Sequence, residues 1–242
     1  MIRKMIALSL ADLKNISRES TLLLVLFAPL ALLLFLRFAL PQLSGIVQAQ
    51  FDIDLREYDL FIFAFMSLIP SLLFGMVSGF IMLDERDEDI IAFIAVTPLQ
   101  KSGYFLYKLL SLTAVVFAFF FVLTGQAGLV QLPLLSSVVL ASLIALEAPI
   151  GALFLAAFAE NKVEGLALSK ALGVMYVGPF VAFLVDSNWQ FTAGLFPPFW
   201  IAKAFQHAVQ LDLTFFLYAA IGLLVHLVAI GLLFRRFAQD QR

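Results

Sequence analysis

Of the 242 residues, 63% are apolar and 13% charged, against roughly 45–50% and about 25% in a water-soluble globular domain. A soluble chain of this length has to cover its core with polar side chains; this one lacks them, and its 27 Phe suit a lipid-facing surface. A net charge of -2 gives nucleic acid no basic face to bind, and the absence of cysteine removes disulfides, thiolate metal sites and Cys nucleophiles.

Residues 1–20 predict an amphipathic helix. Ile2, Met5, Ile6, Leu10, Leu13 and Ile16 share one arc, with Arg3, Lys4, Lys14, Asn15 and Arg18 opposite. Such a basic, two-faced helix lies flat in the membrane interface, either as a plain anchor or as an elbow leading into a bundle. Apolar runs of about 20 residues cross the hydrocarbon. The first two cover about 21–40 and 60–83, and Pro29, Pro70, Gly75 and Gly79 inside them are tolerated in spanning helices. None of the runs alternates as a barrel strand does.

The loop that follows is the most informative stretch. Asp84-Glu85-Arg86-Asp87-Glu88-Asp89 precedes Ile90-Ile91-Ala92-Phe93-Ile94-Ala95-Val96, and Thr97-Pro98 closes it. Carboxylates favour a helix N-terminus and Pro98 stops a helix, so a short helix is expected here. Its apolar run is too short to span and too greasy for water. It needs a cover, either the bilayer surface or a groove on another protein.

Further spans are expected at 104–124, 134–159, 166–185 and 213–234. The fourth span carries Glu147 about midway, beside the helix-weakening Pro149 and Gly151. A carboxylate there costs several kcal/mol unless it is protonated, paired or facing water. It lies on a transport path or dimer seam, or else it makes a structural hydrogen bond. His226, near the middle of the last span, is a second site candidate or a neutral His bonded across helices. Between the last two spans, residues 186–212 are too long for a turn and too apolar for a free loop. Trp189, Phe191, Phe196, Phe199 and Trp200 make an interfacial aromatic belt there, with Lys203, Gln206 and His207 at helical spacing. Short helices dipping into the membrane are expected.

Orientation follows from the cations. With the N-terminus inside, Arg3, Lys4, Lys14, Arg18, Arg86, Lys101, Lys162, Arg235, Arg236 and Arg242 lie inside, and Lys108 and Lys170 snorkel to the same side. Arg37, Arg56 and Lys203 are left outside. The bias places both termini in the cytoplasm. No linker, soluble domain or repeat of one half in the other is visible, so residues 1–242 are expected to form a single transmembrane domain.

Three features together resemble a family: the amphipathic start, the acidic loop Leu83-Asp84-Glu85-Arg86 leading to Ala95-Val96-Thr97-Pro98-Leu99, and Tyr104 with Tyr107-Lys108-Leu109-Leu110 opening the third span. With the six-span order and Leu195-Phe196-Pro197-Pro198-Phe199-Trp200 before the last span, the chain resembles the membrane subunits of type-2 ABC exporters over nearly its whole length. The resemblance implies an all-α bundle with an interfacial N-terminal helix, a cytoplasmic coupling helix and short outer re-entrant helices. It implies that the second loop docks on a separate ATPase subunit through Asp84, Glu85, Glu88, Phe93, Ile94, Thr97 and Pro98. It also implies a second permease copy, identical or not, and residence in the cytoplasmic (inner) membrane of a prokaryote. This loop is richer in acids than the family pattern.

No Gly-x-x-x-x-Gly-Lys-Ser/Thr occurs, so this chain binds no ATP by a P-loop; ATP–Mg belongs to the partner ATPase and no cofactor is expected on the chain itself. No Gly-x-Ser-x-Gly, His-Glu-x-x-His or metal-spaced cluster is present. The reading is a transport subunit rather than an enzyme, moving an amphipathic small molecule or lipid-like cargo. Polysaccharide, peptide or lipid-linked cargo is the alternative, and a membrane-embedded enzyme or a non-transporting scaffold is the rival class. Glu147 and His226 would be the polar groups of such an enzyme.

Overall fold

A computed structural model describes residues 20–95 and 100–240. The interfacial helix expected over 1–20 falls outside them but for its last residue, as do Thr97 and Pro98. Helix is the only regular structure among the described residues, in keeping with a backbone that must satisfy itself within hydrocarbon. Six helical segments are long and apolar enough to cross a membrane: Phe27–Phe51, Leu55–Asp87, Gly103–Ala127, Leu134–Phe158, Lys162–Leu184 and Leu213–Gln239.

Helix α1 (Ser20–Leu34) passes through a π turn, Phe35–Ala39, into α2 (Leu40–Phe51). This first helix runs eleven residues past the expected end at Leu40. Pro41 does not stop it because it follows directly on the π turn, where the Leu40 N–H returns to the Phe35 carbonyl and the wider turn lets the chain pass the proline ring. Asp52, in the left-handed region at φ 56°, does stop it. After a 3-10 turn at Leu55–Tyr58 come α3 (Asp59–Asp87), the short α4 (Ile90–Ala95) and α5 (Gln100–Ala127). Next are α6 (Leu134–Phe158) and α7 (Lys162–Met175), the latter capped by Asn161 accepting from the Glu164 N–H at 3.0 Å.

The fifth span is broken at Tyr176, where α7 gives way to α8 (Val177–Leu184). Pro179 supplies the reason: it has no N–H to return to the Met175 carbonyl, and its ring clashes there. The segment before the last span contains a 3-10 stretch, Asn188–Leu195, and α9 (Pro197–His207), ahead of α10 (Leu213–Asp240). This pair of short helices is the one expected between the last two spans.

Helix α6 is the centre of the bundle, buried along most of its length between α3, α5 and α10. Its contact with α3 is backbone to backbone: a Cβ added at Gly75 would lie 2.7 Å from the Ala148 carbonyl oxygen. The two helices run in the same direction, since their C-terminal ends meet at Arg86. That guanidinium donates to the carbonyls of Ala156, Ala159 and Glu160 at 3.3, 2.7 and 2.6 Å. Helix α10 runs the same way, with Phe215 in the cluster around Leu140 and Phe237 in the cluster around Ala156. Phe63, Phe120 and Phe205 close the core with mutual ring contacts.

Candidate functional site

One end of the bundle collects the acidic stretch that closes α3. Its residues fall into two sets. Asp84 pairs with Lys162 at 2.9 Å, and Glu85 is buried, pairing with Lys108 at 3.2 Å and accepting from the Tyr104 hydroxyl. Asp87, Glu88 and Asp89 are exposed. Lys108 therefore does not snorkel as expected; it turns inward because Glu85 and the face of the Tyr104 ring, 5.6 Å away, receive it there. Tyr104 and Lys108 are four residues apart on α5, so one helix face offers both to the same carboxylate.

Asp89, with φ 58°, turns the chain into α4. Ile91 and Ile94 pack against Met82, Tyr104, Phe105, Ala156 and Phe237. Phe93 is 72% exposed, whereas Ile94 is 8% exposed. The two residues expected to dock together thus face opposite ways: Ile94 fastens α4 to the bundle and Phe93 points away from it. This elbow is anchored to the ends of α3, α5, α6 and α10 at once.

The second set of site residues lies halfway along the bundle. Glu147 and His226 are 2% and 0% exposed, and His226 Nε2 stands 3.0 Å from Glu147 Oε1. The other ring nitrogen, Nδ1, is 2.6 Å from the Gly222 carbonyl oxygen one turn back on α10. Tyr176, at the break between α7 and α8, is close enough to Glu147 to feel its charge. Ser71 of α3 lies beside the Tyr176 phenol. Glu147 faces the inside of its own bundle.

At the opposite end, Lys203 is buried on α9 and donates to Gln190 and Gln206 at 3.0 and 2.7 Å. Burial lowers its ammonium pKa, a shift that Asp186 opposes. Trp200 Nε1 donates to the Gly194 carbonyl, and Asp212 accepts from the Phe215 N–H at 2.8 Å to start α10.

A sequence profile described as "Fluoroquinolones export permease protein Rv2686c-like" matches residues 12–234. The chain belongs to the Rv2686c-like family. Two curated relatives, "Fluoroquinolones export permease protein Rv2686c" of Mycobacterium tuberculosis strain H37Rv and "Fluoroquinolones export permease protein MT2760" of strain CDC 1551, are each 29% identical over 238 residues, covering 97% of this chain and 94% of theirs. No solved structure matches.

Membership of the Rv2686c-like family makes this chain a multi-pass export permease, a transport subunit, in agreement with the exporter resemblance read from its motifs. Within that frame, the geometry joins Glu147 to His226 across 79 positions of sequence, which two isolated polar residues in apolar runs do not announce. It adds Tyr176 and Ser71. Their only sequence signal is the Pro179 break, which marks where a side chain leaves the regular helix. It also separates Asp84 and Glu85, engaged within the bundle, from Glu88 and Phe93, presented outward.

Proposed function

We propose that this permease is the membrane-spanning half of an ATP-driven exporter. Two permease copies work with separate ATPase subunits that hold ATP–Mg, in a prokaryotic cytoplasmic membrane with both termini inside. The cargo is an amphipathic small molecule; the fluoroquinolones in the relatives' names belong to that class. Glu147 and His226 serve the transport path.

The observation that carries the reading is the elbow. A large aromatic side chain, Phe93, stands out from a short helix whose other face, Ile91 and Ile94, is fixed to the ends of the spanning helices. Such a knob in a hydrophobic groove of a soluble partner gives a push on α4 a direct route to α3, α5, α6 and α10. Glu88, exposed at the end of α3, sits at the rim of that contact.

Replacing Phe93 with Asp removes the knob without touching the inward face. Losing one buried aromatic anchor costs an interface about 2 kcal/mol or more, some thirtyfold in affinity. The variant is expected to insert and melt as wild type does, yet to lose co-purification with the ATPase and stimulation of its ATP hydrolysis. Unchanged co-purification and ATPase stimulation would place the coupling contact elsewhere.

A further inference from the structure

Arg86 is the one cation in the charged run from Asp84 to Asp89, yet its side chain is spent on another element. Nη1 donates to the Ala156 carbonyl at 3.3 Å, and Nη2 donates to the Ala159 and Glu160 carbonyls at 2.7 and 2.6 Å. These oxygens lie at the end of α6 and in the turn that leads to α7, where a helix end leaves its last carbonyls without partners of their own. The backbone of the same residue faces the elbow. The Arg86 carbonyl accepts from the Asp89 N–H at 3.1 Å, and the Asp89 carbonyl accepts from the Phe93 N–H at 3.0 Å. A line of hydrogen bonds therefore runs from Phe93, the exposed knob, through the elbow's turn to Arg86 and on to the α6–α7 turn.

The residues just before it do not make the same bridge. Leu83 packs on the first turns of α7, where a Cβ added at Gly165 would lie 2.7 Å from Leu83 Cδ1, but Leu83 belongs to the shaft of α3 and not to the elbow. Asp84 accepts from the Glu88 N–H at 2.9 Å and pairs with Lys162, but both side chains of that pair are more than a third exposed, and such pairs contribute little. Glu85 turns the other way, to α5. Among the described residues, Arg86 alone joins a backbone bond inside the elbow's turn to a planar fork on the receiving turn. A lysine offers a point charge on a flexible stem and does not reproduce that fork. On the far side of the turn, α7 is free to respond. Gly165 and Leu172 are its buried positions, and the break at Tyr176 separates it from α8.

Starting from the exporter reading above, we propose that Arg86 is the positioning residue that carries a displacement of the elbow into the α6–α7 turn, so that a push at Phe93 reaches α7 as a swing about Tyr176. Arg86 touches neither cargo nor nucleotide. A push on α4 moves Asp89 against the Arg86 carbonyl, and the guanidinium takes the Ala156, Ala159 and Glu160 carbonyls with it. Helix α6 resists, because it is packed backbone to backbone on α3 at Gly75 and Ala148. Helix α7 gives, because it is held at the turn and hinged at the break. The half of the fifth span nearest the elbow is then the first part of the bundle to move. The coupling follows a contiguous set of bonds between two elements, which is what a transmitted movement requires.

The chain has no cysteine, so a single Glu160→Cys can carry a reporter in the receiving turn. The Glu160 side chain is exposed; its carbonyl takes Arg86 and its N–H donates to Glu164 Oε2, and the substitution leaves both backbone bonds in place. Full-length permease is labelled there with monobromobimane, assembled with the ATPase in nanodiscs and read before and after trapping with ATP–Mg and vanadate. With Arg86 present, trapping is expected to shift the bimane emission. Arg86→Lys keeps the charge and Arg86→Met removes it. Both are expected to co-purify with the ATPase and to support its hydrolysis as wild type does, while the shift shrinks about threefold or more with Lys and vanishes with Met. Asn161→Ala separates transmission from mere loosening: it deletes the α7 cap in the same turn, so it should lower the melting temperature at least as much as Arg86→Lys yet keep the shift. Should Arg86→Met fail to insert, Arg86→Lys decides alone. A full shift in Arg86→Lys, no shift with Arg86 present, or an equal loss in Asn161→Ala would overturn the role, and so would loss of co-purification in the Arg86 variants, which would make Arg86 part of the docking contact. In each of these outcomes the complex with Arg86 in place still forms, so the exporter reading stands; that reading falls on the Phe93 experiment instead.

Discussion

Asp212 shows how much one side chain sets at a helix start. Its carboxylate accepts from the Phe215 N–H, and His207 Nδ1 lies 2.9 Å from its other oxygen. The Phe215 bond is the main cause of a carboxyl pKa held below the ordinary range, with His207 contributing. A folded value below the unfolded one adds stability that is complete above the ordinary carboxylate range and disappears as pH falls through the lower, folded value. Asp212→Asn keeps an oxygen for Phe215 and removes the charge. Thermal melts should find wild type the more stable near neutrality, with the difference closing in acid. A gap between the two proteins that stays constant down to the acid limit would detach Asp212 from the pH response.

Among the elements, the elbow depends on the Glu85–Lys108 pair more than on its own six residues. Removing one member of a buried pair leaves the other charged and unsatisfied, at a cost of about 3–5 kcal/mol, whereas replacing both with apolar side chains of similar size is often neutral. Lys108→Met is therefore expected to lower the melting temperature markedly, and Glu85→Leu with Lys108→Met to recover most of the loss. A double variant as unstable as the single one would mean that Tyr104 and the other contacts of Glu85 dominate. The sequence announced this element well but its wiring poorly. Six acidic or basic residues before an apolar run that ends at Thr-Pro mark a short helix, because charge and proline are local signals. Which acids are free and which are engaged depends on where α5 and α7 return, and that is not local. The same limit explains Ile94: in a run apolar on every side, periodicity cannot choose the inward face.

At the scale of the whole chain, the spans were readable because hydrocarbon demands about 20 apolar residues, a signal stronger than any turn. The ends were less so. A span finishes where polarity rises, but a helix finishes where its hydrogen bonds do, and α2 and α10 both continue past the apolar limit. The Glu147–His226 contact was hidden for another reason, since it arises from the pairing of α6 with α10 rather than from any spacing. The orientation inferred from the cations is open to a direct check. Cysteines introduced at Asp54 or Asn188 should react with an impermeant reagent from outside, and cysteines at Glu88 or Glu160 only after the membrane is opened; the reverse pattern would invert the protein. Helices α3, α6 and α10 run in one direction, whereas α5, with Tyr104 at the Glu85 end of α3 and Phe120 at the Phe63 end, runs the other way against α6, so the macrodipoles of packed neighbours oppose each other. What remains is local to the helix ends: Asp59 and Asp212 stand at the partial positive starts of α3 and α10, and Arg86 lies on the carbonyls at and just beyond the partial negative end of α6, so the side chains that mark where a span stops also neutralise the backbone there.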